Sequence, residues 1–155
     1  IYPDQIAFNC IPQIDQFMDN GYTKEEMKMV WETKKILNDE SIRVNATAVR
    51  VPVFFGHSEA VNIELKSEFD LAEVISLLEK SPGIIVSPKN EEGQYPTAVT
   101  SAASQDAVYV GRIRRDISKK NSLNFWIVAD NVRKGAALNS VQIAEILITK
   151  YFEKD

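Results

Sequence analysis

The chain has 155 residues, 45% hydrophobic and 26% charged, with 18 Lys+Arg against 22 Asp+Glu for a formal net charge of −4. That length gives one domain with a real core, and the acidic balance argues against the clustered basic face that nucleic acid requires. The single cysteine, Cys10, excludes an internal disulfide framework and argues against a thiolate zinc site, and the single histidine, His57, removes every metal motif that needs two. No apolar run of about 18 residues is present to span a membrane. The first residues lack the basic start and apolar run of a signal peptide, so a cytosolic protein is expected. A start at Ile1 without methionine is the pattern of a piece cut or processed from a longer protein.

Residues 5–10 read as a short strand ended by Pro12. Thr23 and Glu26 form a capping box that opens a helix over about 24–38, with Tyr22 and Met27 at the staple positions. Met27, Val30, Trp31 and Leu37 keep helical spacing, while Lys28, Glu32 and Lys35 share a different face. Residues 42–51 alternate as a strand does, with Ile42, Val44, Ala46 and Ala48 on one side. Residues 57–66 alternate too, with Val61, Ile63 and Leu65 on one side, and Pro52 and Gly56 punctuate the connection. Asp70 and Glu73 make a second capping box for a helix to about 80, ended by Pro82-Gly83. Ile84–Val86 follows as a short buried strand. The segment Ser87–Ser104, with Pro88, Gly93 and Pro96, is long for a plain loop. Strands are expected over 107–115 and 123–129, joined around Ser118–Ser122, and a last, largely apolar and therefore mostly buried helix over about 136–152. The basic residues Arg112, Arg114, Arg115, Lys119 and Lys120 fall at that hairpin end, interrupted by Asp116, and read as solvated. The element order suggests an α+β fold around a mixed, largely antiparallel sheet with helices on one face, its first six elements open to a split βαβ arrangement.

Arg50 shares the parity of the apolar set 42/44/46/48, and His57 that of Val61, Ile63 and Leu65. Both would stand at the rim of one buried face. There an arginine can grip a carboxylate bidentately and a histidine can move protons near neutral pH. A structural arginine and a half-buried histidine fit the same spacing. Glu32 and Lys35, at i and i+3, are either a surface ion pair or a carboxylate for an ammonium beside an ammonium for a phosphate. The N–H groups of 130–135, before the last helix, either meet an anion or amide or are ordinarily capped. Cys10 lacks any local feature that would lower its pKa and reads as a core thiol. The glycines 21, 56, 83, 93, 111 and 135 have neither GxGxxG nor P-loop spacing, so a phosphate-cradling turn is absent from this sequence.

Four segments together resemble the bacterial aspartate-β-semialdehyde dehydrogenase family: Phe8-Asn-Cys-Ile-Pro-Gln-Ile-Asp15, the run from Gly21 through Glu32-Thr-Lys-Lys-Ile-Leu37, Arg50-Val-Pro-Val-Phe-Phe-Gly-His-Ser-Glu59, and Asp130-Asn-Val-Arg-Lys-Gly-Ala-Ala137. The resemblance runs in order over nearly the whole chain. It implies the fold of the glyceraldehyde-3-phosphate dehydrogenase C-terminal domain. It also implies NADPH-dependent reduction of β-aspartyl phosphate to aspartate semialdehyde with release of phosphate, in the synthesis of lysine, methionine and threonine. By position, Arg50 would bind the α-carboxylate, Glu32 the α-ammonium, Lys35 the phosphate, His57 would be the general acid/base, and Asn131 would lie near the nicotinamide of NADP. The family's glycine-rich dinucleotide domain and its Asn-Cys nucleophile motif have no counterpart here, and Cys10 falls where the family has an aliphatic residue. The chain is therefore expected to be the substrate-binding and dimerisation domain alone, inactive by itself and forming a homodimer or higher homo-oligomer, with the apolar strands 107–115 and 123–129 offering surface for the second copy. The related N-acetyl-γ-glutamyl-phosphate reductases are an alternative that Glu32 disfavours, because an acylated nitrogen carries no charge to pair with. A non-catalytic dimerisation or small-molecule-binding module is the other.

Overall fold

The computed structural model describes residues 2–87 and 91–152, and the chain divides into two compact units, Ile1–Pro52 and Val53–Asp155.

The first unit is built on α1 (Lys24–Leu37). Its capping box forms as the sequence predicts: Thr23 Oγ1 accepts from Glu26 N–H, and Glu26 Oε2 accepts from Thr23 N–H at 2.8 Å. Asn38 closes the helix in the left-handed region, at φ 51°. Of the helix's apolar positions, Met27 and Val30 are partly buried while Trp31 and Leu37 are exposed. The strand expected over 5–10 does not form. Asn9 donates to the Gln5 carbonyl and accepts from Cys10 N–H, and Phe8 turns to φ 60° with its ring exposed. Such side-chain bonds to local backbone compete with a ladder. Cys10 is consequently exposed, not a core thiol. Segment 42–51 keeps its alternation, with Ile42, Val44, Ala46 and Ala48 more buried than their neighbours, yet among the described residues only Arg50 is bridged, to Ile11. Burial periodicity reports which way side chains face; a strand also needs a neighbour to bond.

The second unit holds a four-stranded sheet of β1 (His57–Glu64), β2 (Ile84–Val86), β3 (Val108–Arg115) and β4 (Ser122–Ala129), in the order β1-β4-β3-β2. β1–β4 and β3–β4 are antiparallel and β2–β3 parallel. β1 and β2 thus run the same way around α2 (Leu71–Glu79), and the later β3–β4 hairpin fills the gap between them. The split βαβ arrangement therefore exists, but between 57 and 86 and not across the first six expected elements. Asp70 caps α2 by accepting from Ala72 and Glu73 N–H. Leu71, Val74, Ile75 and Leu78, at helical spacing, pack against Val110, Ile113, Leu123 and Phe125 to make the core. β2, expected to be buried, is only partly so, because it is an edge strand.

On the opposite face, Gly111 lets Pro96 settle on the sheet: a Cβ at 111 would stand 2.4 Å from Pro96 Cδ. The Pro96 carbonyl accepts from Trp126 Nε1 at 2.9 Å. At Gly111 and Trp126 the sheet is therefore covered on this face as well. Of the segment 87–104, Pro88 lies outside the described residues, and Ala98–Ala102 forms a wide helical turn. The basic hairpin end is paired with the β1–α2 connection, through Lys119 to Glu64 at 2.6 Å, Lys120 to Glu68, and Arg115 stacked 4.3 Å from the Phe69 ring centroid.

The last helix, α3 (Leu138–Leu147), runs on through a wide turn, Ile148–Phe152. It is mostly exposed, contrary to expectation: Val141, Ile143 and Ile146 are each more than half accessible. Apolar residues all round a helix set a demand for burial, but another element must be present to meet it.

Candidate functional site

The expected site residues fall in both units. In the first, Glu32 and Lys35 project from α1, both exposed. Among the described residues they form no ion pair with each other. Lys28 pairs with Glu25 instead, at 3.1 Å. Arg50 is exposed, held by its backbone to Ile11 at 2.8 and 3.0 Å, with its guanidinium carbon 5.9 Å from the Tyr2 ring centroid. The register of Arg50 relative to α1 is fixed by a buried carboxylate that sequence reading assigned only to the cap. Glu26 Oε1 accepts from Ala48 N–H at 2.8 Å while Oε2 completes the box. The backbone bonds from Thr23 and Ala48 hold the Glu26 carboxyl below its usual pKa, against the opposing effect of burial.

In the second unit His57 opens β1, paired with Ala129. Its parity is the expected one: Val61, four pairs on, faces Phe125 on the α2 side of the sheet. His57 is exposed, and its ring holds no ion pair among the described residues. β1 bonds to β4 as an edge strand of the sheet. Asn131 comes beside His57 in the chain fold: its Oδ1 accepts from Gly56 N–H at 3.0 Å. Asn131 is exposed, and its amide nitrogen is left to donate elsewhere.

The turn 130–135 is self-capped, which settles one of the two readings of its N–H groups. Asp130 Oδ1 accepts from Val132 and Arg133, and its carbonyl from Arg133 and Lys134. Arg133 is paired with Asp106, and Lys134 Nζ donates to Gln142 at 2.9 Å. Asp130 is 5% exposed, and its other oxygen accepts from Ser104 N–H at 2.8 Å. These donors, Ser104 foremost, hold its carboxyl below the usual range. The joining role of Asp130 and the Asn131 contact to Gly56 are not legible in the sequence. The aspartate two residues before bonded N–H groups is a turn signature, but Ser104 and Gly56 are distant in sequence. A groove of about 360 Å³ on the face away from α2, lined by Ala60, Tyr95, Pro96, Arg112, Arg114 and Trp126 among others, includes none of the expected site residues.

A mixed sheet backed by one helix, with an exposed histidine opening its edge strand, defines an α+β domain suited to presenting polar groups to a ligand. Residues 1–134 match the family described as semialdehyde dehydrogenase, dimerisation domain. The chain belongs to that family. It is 61% identical over 152 residues to the aspartate-semialdehyde dehydrogenase of Shewanella violacea, covering 98% of this chain and 44% of that protein. It is 60% identical over 154 residues to that of Legionella pneumophila, covering 99% and 44%. Among solved structures it resembles aspartate semialdehyde dehydrogenase II from Vibrio cholerae complexed with ASA (TM-score 0.92, 60% identity, 97% of this chain and 44% of that one). It also resembles the Candida albicans enzyme with NADP (TM-score 0.72, 26% identity, 95% and 46%). The chain thus spans less than half the length of the curated relatives it matches.

Proposed function

We propose that this chain is the substrate-binding and dimerisation part of an NADPH-dependent aspartate-semialdehyde dehydrogenase. The whole protein would convert β-aspartyl phosphate to aspartate semialdehyde and phosphate in the cytoplasm, in the synthesis of lysine, methionine and threonine. One observation carries the reading. The residues that family position marks for substrate — Glu32, Lys35, Arg50 and His57 — are all exposed and form no ion pair among the described residues, within a chain 61% identical to such a dehydrogenase. Exposed charges that no ion pair holds among the described residues suit a site whose partners arrive with the ligand.

Arg50 grips the α-carboxylate with its planar fork. Glu32 pairs with the α-ammonium, and Lys35 neutralises the phosphoryl group. The nucleophilic thiol would come from outside this sequence, since Cys10 is followed by Ile11-Pro12, falls where the family has an aliphatic residue, and does not stand in the family's nucleophile motif. His57 would accept the thiol proton; the thiolate would displace phosphate from the acyl carbon to leave a thioester, and once the thioester is reduced His57 would return its proton to the departing thiolate. NADPH, when bound, supplies the hydride. Its carboxamide end is the part this chain would hold: among the described residues Asn131 Nδ2 makes no hydrogen bond, and the sequence has no glycine-rich turn for the phosphates.

The test is kinetic, in the full-length protein. Arg50→Lys keeps the charge but loses the fork, and should raise the substrate KM by about tenfold or more. His57→Asn should lower kcat by roughly 10²–10⁴-fold with little change in KM. The reading is wrong if both variants keep wild-type constants, or if both merely melt earlier while the folded fraction stays fully active.

A further inference from the structure

The geometry points to Asp130 as a positioning residue that, through Asn131, holds the backbone at Gly56 from which His57 is presented; this rests on the reading of His57 as the general acid/base. Gly56 is confined on three sides. Its N–H is taken by Asn131 Oδ1 at 3.0 Å. A Cβ built on it would lie 2.9 Å from Ala98 Cβ and 3.0 Å from the Ala129 carbonyl. Its φ of 84° is open to glycine and strained for other residues. The next residue, His57, is locked in register with Ala129.

Two of those walls are separate segments, and one buried carboxylate joins them. Asp130 Oδ1 accepts from Val132 and Arg133 N–H, which shapes the turn that carries Asn131. Asp130 Oδ2 accepts from Ser104 N–H, which anchors the end of the segment that carries Ala98. Ser104 itself sits at φ 62°, a conformation that non-glycine residues rarely hold without support. Both oxygens face donors, so an amide at this position would set an N–H₂ against an N–H. A carboxylate is therefore required by the geometry, although Asp130 touches no substrate position. The chain spends one charged group, 5% exposed, on joining Ala98, Asn131 and Gly56 behind the histidine.

The experiment uses the full-length protein with Asp130→Asn, Asn131→Ala and Asn131→Asp. Amide exchange is followed at Gly56 and Ser104, together with kcat, KM and the pH profile. Asp130→Asn should speed exchange at both amides while β4 stays protected, and lower kcat by about tenfold or more, because small misplacements of a reacting group cost that much. Asn131→Ala should speed exchange at Gly56 alone. Asn131→Asp keeps the acceptor oxygen and should restore that protection. The positioning role is overturned if Gly56 exchange is unchanged in Asp130→Asn and Asn131→Ala. It is also overturned if Gly56 loosens while kcat holds and His57→Asn is inactive. An active His57→Asn protein would instead remove the acid/base reading, leaving the Gly56 anchor to stand or fall on exchange alone.

Discussion

At the residue scale, the side chains assigned to substrate differ from those assigned to structure in what they touch. Glu26 and Asp130 are buried, and each accepts several backbone N–H groups. Glu32 and Lys35 are exposed on the same helix as Glu26 and hold no ion pair with each other. Removing their charges should therefore leave stability within about 0.5 kcal/mol, as for ordinary surface sites. Glu32→Gln should instead raise the substrate KM by removing the ammonium partner, and thermal melting beside steady-state kinetics separates the two effects. Cys10→Val should be equally silent in stability, and the native thiol should react readily with an aromatic disulfide reagent in the isolated chain. A thiol that stays protected until the chain unfolds would return Cys10 to the core.

Elements are joined by a few buried polar groups whose loss has a predictable sign. The Glu26 pKa is lowered by the Thr23 and Ala48 backbone donors. A depressed carboxyl contributes stability above its unfolded pKa, about 4.3, and loses it as pH falls through the folded value. Acidification below about pH 4 should thus loosen α1 from the 48–50 segment, and Glu26→Gln should flatten that part of the dependence while lowering stability at neutral pH. Melting curves across about pH 3–7 check it. In the second unit Gly111 is the close-approach point of sheet and loop. Gly111→Ala should cost roughly 1–3 kcal/mol as overpacking forces Pro96 off the strand. Weakening of the Trp126 Nε1 bond to Pro96 should appear as a shift in indole fluorescence.

At the scale of the whole molecule, large apolar side chains stay open along α3 and its continuing turn and at Phe54, 97% exposed, with Phe55 beside it, as well as singly at Phe8 and Ile117 and on α1. Patches of this kind mark surfaces that meet other protein. The isolated chain should therefore self-associate, and light scattering at micromolar concentration should give a mass near twice 17.5 kDa or more. A monomer throughout that range would count against the dimerisation role. The same isolated chain should show no NADPH-dependent turnover, because neither an activated thiol nor a phosphate-cradling turn is in its sequence.

Local chemistry was legible before any coordinates. The Thr23–Glu26 box, the Asp70 cap, the spacing of Leu71, Val74, Ile75 and Leu78, and the two long strands of the hairpin all rest on neighbours within a few residues, and all are found. Glu32, Lys35, Arg50, His57 and Asn131 stand out in the sequence by their match to family motifs, and their roles rest on the proposed function. What failed or stayed hidden depended on distant partners. Residues 5–10 and 42–48 have strand-like patterns but no ladder, since a strand exists only with a neighbour to bond. α3 was read as buried from its composition, yet burial is decided by what packs against it. The Asn131–Gly56 and Asp130–Ser104 bonds, spanning 75 and 26 residues, were set by tertiary structure alone. Backbone N–H groups are the same at every position, and only folding determines which carboxylate or amide each one meets.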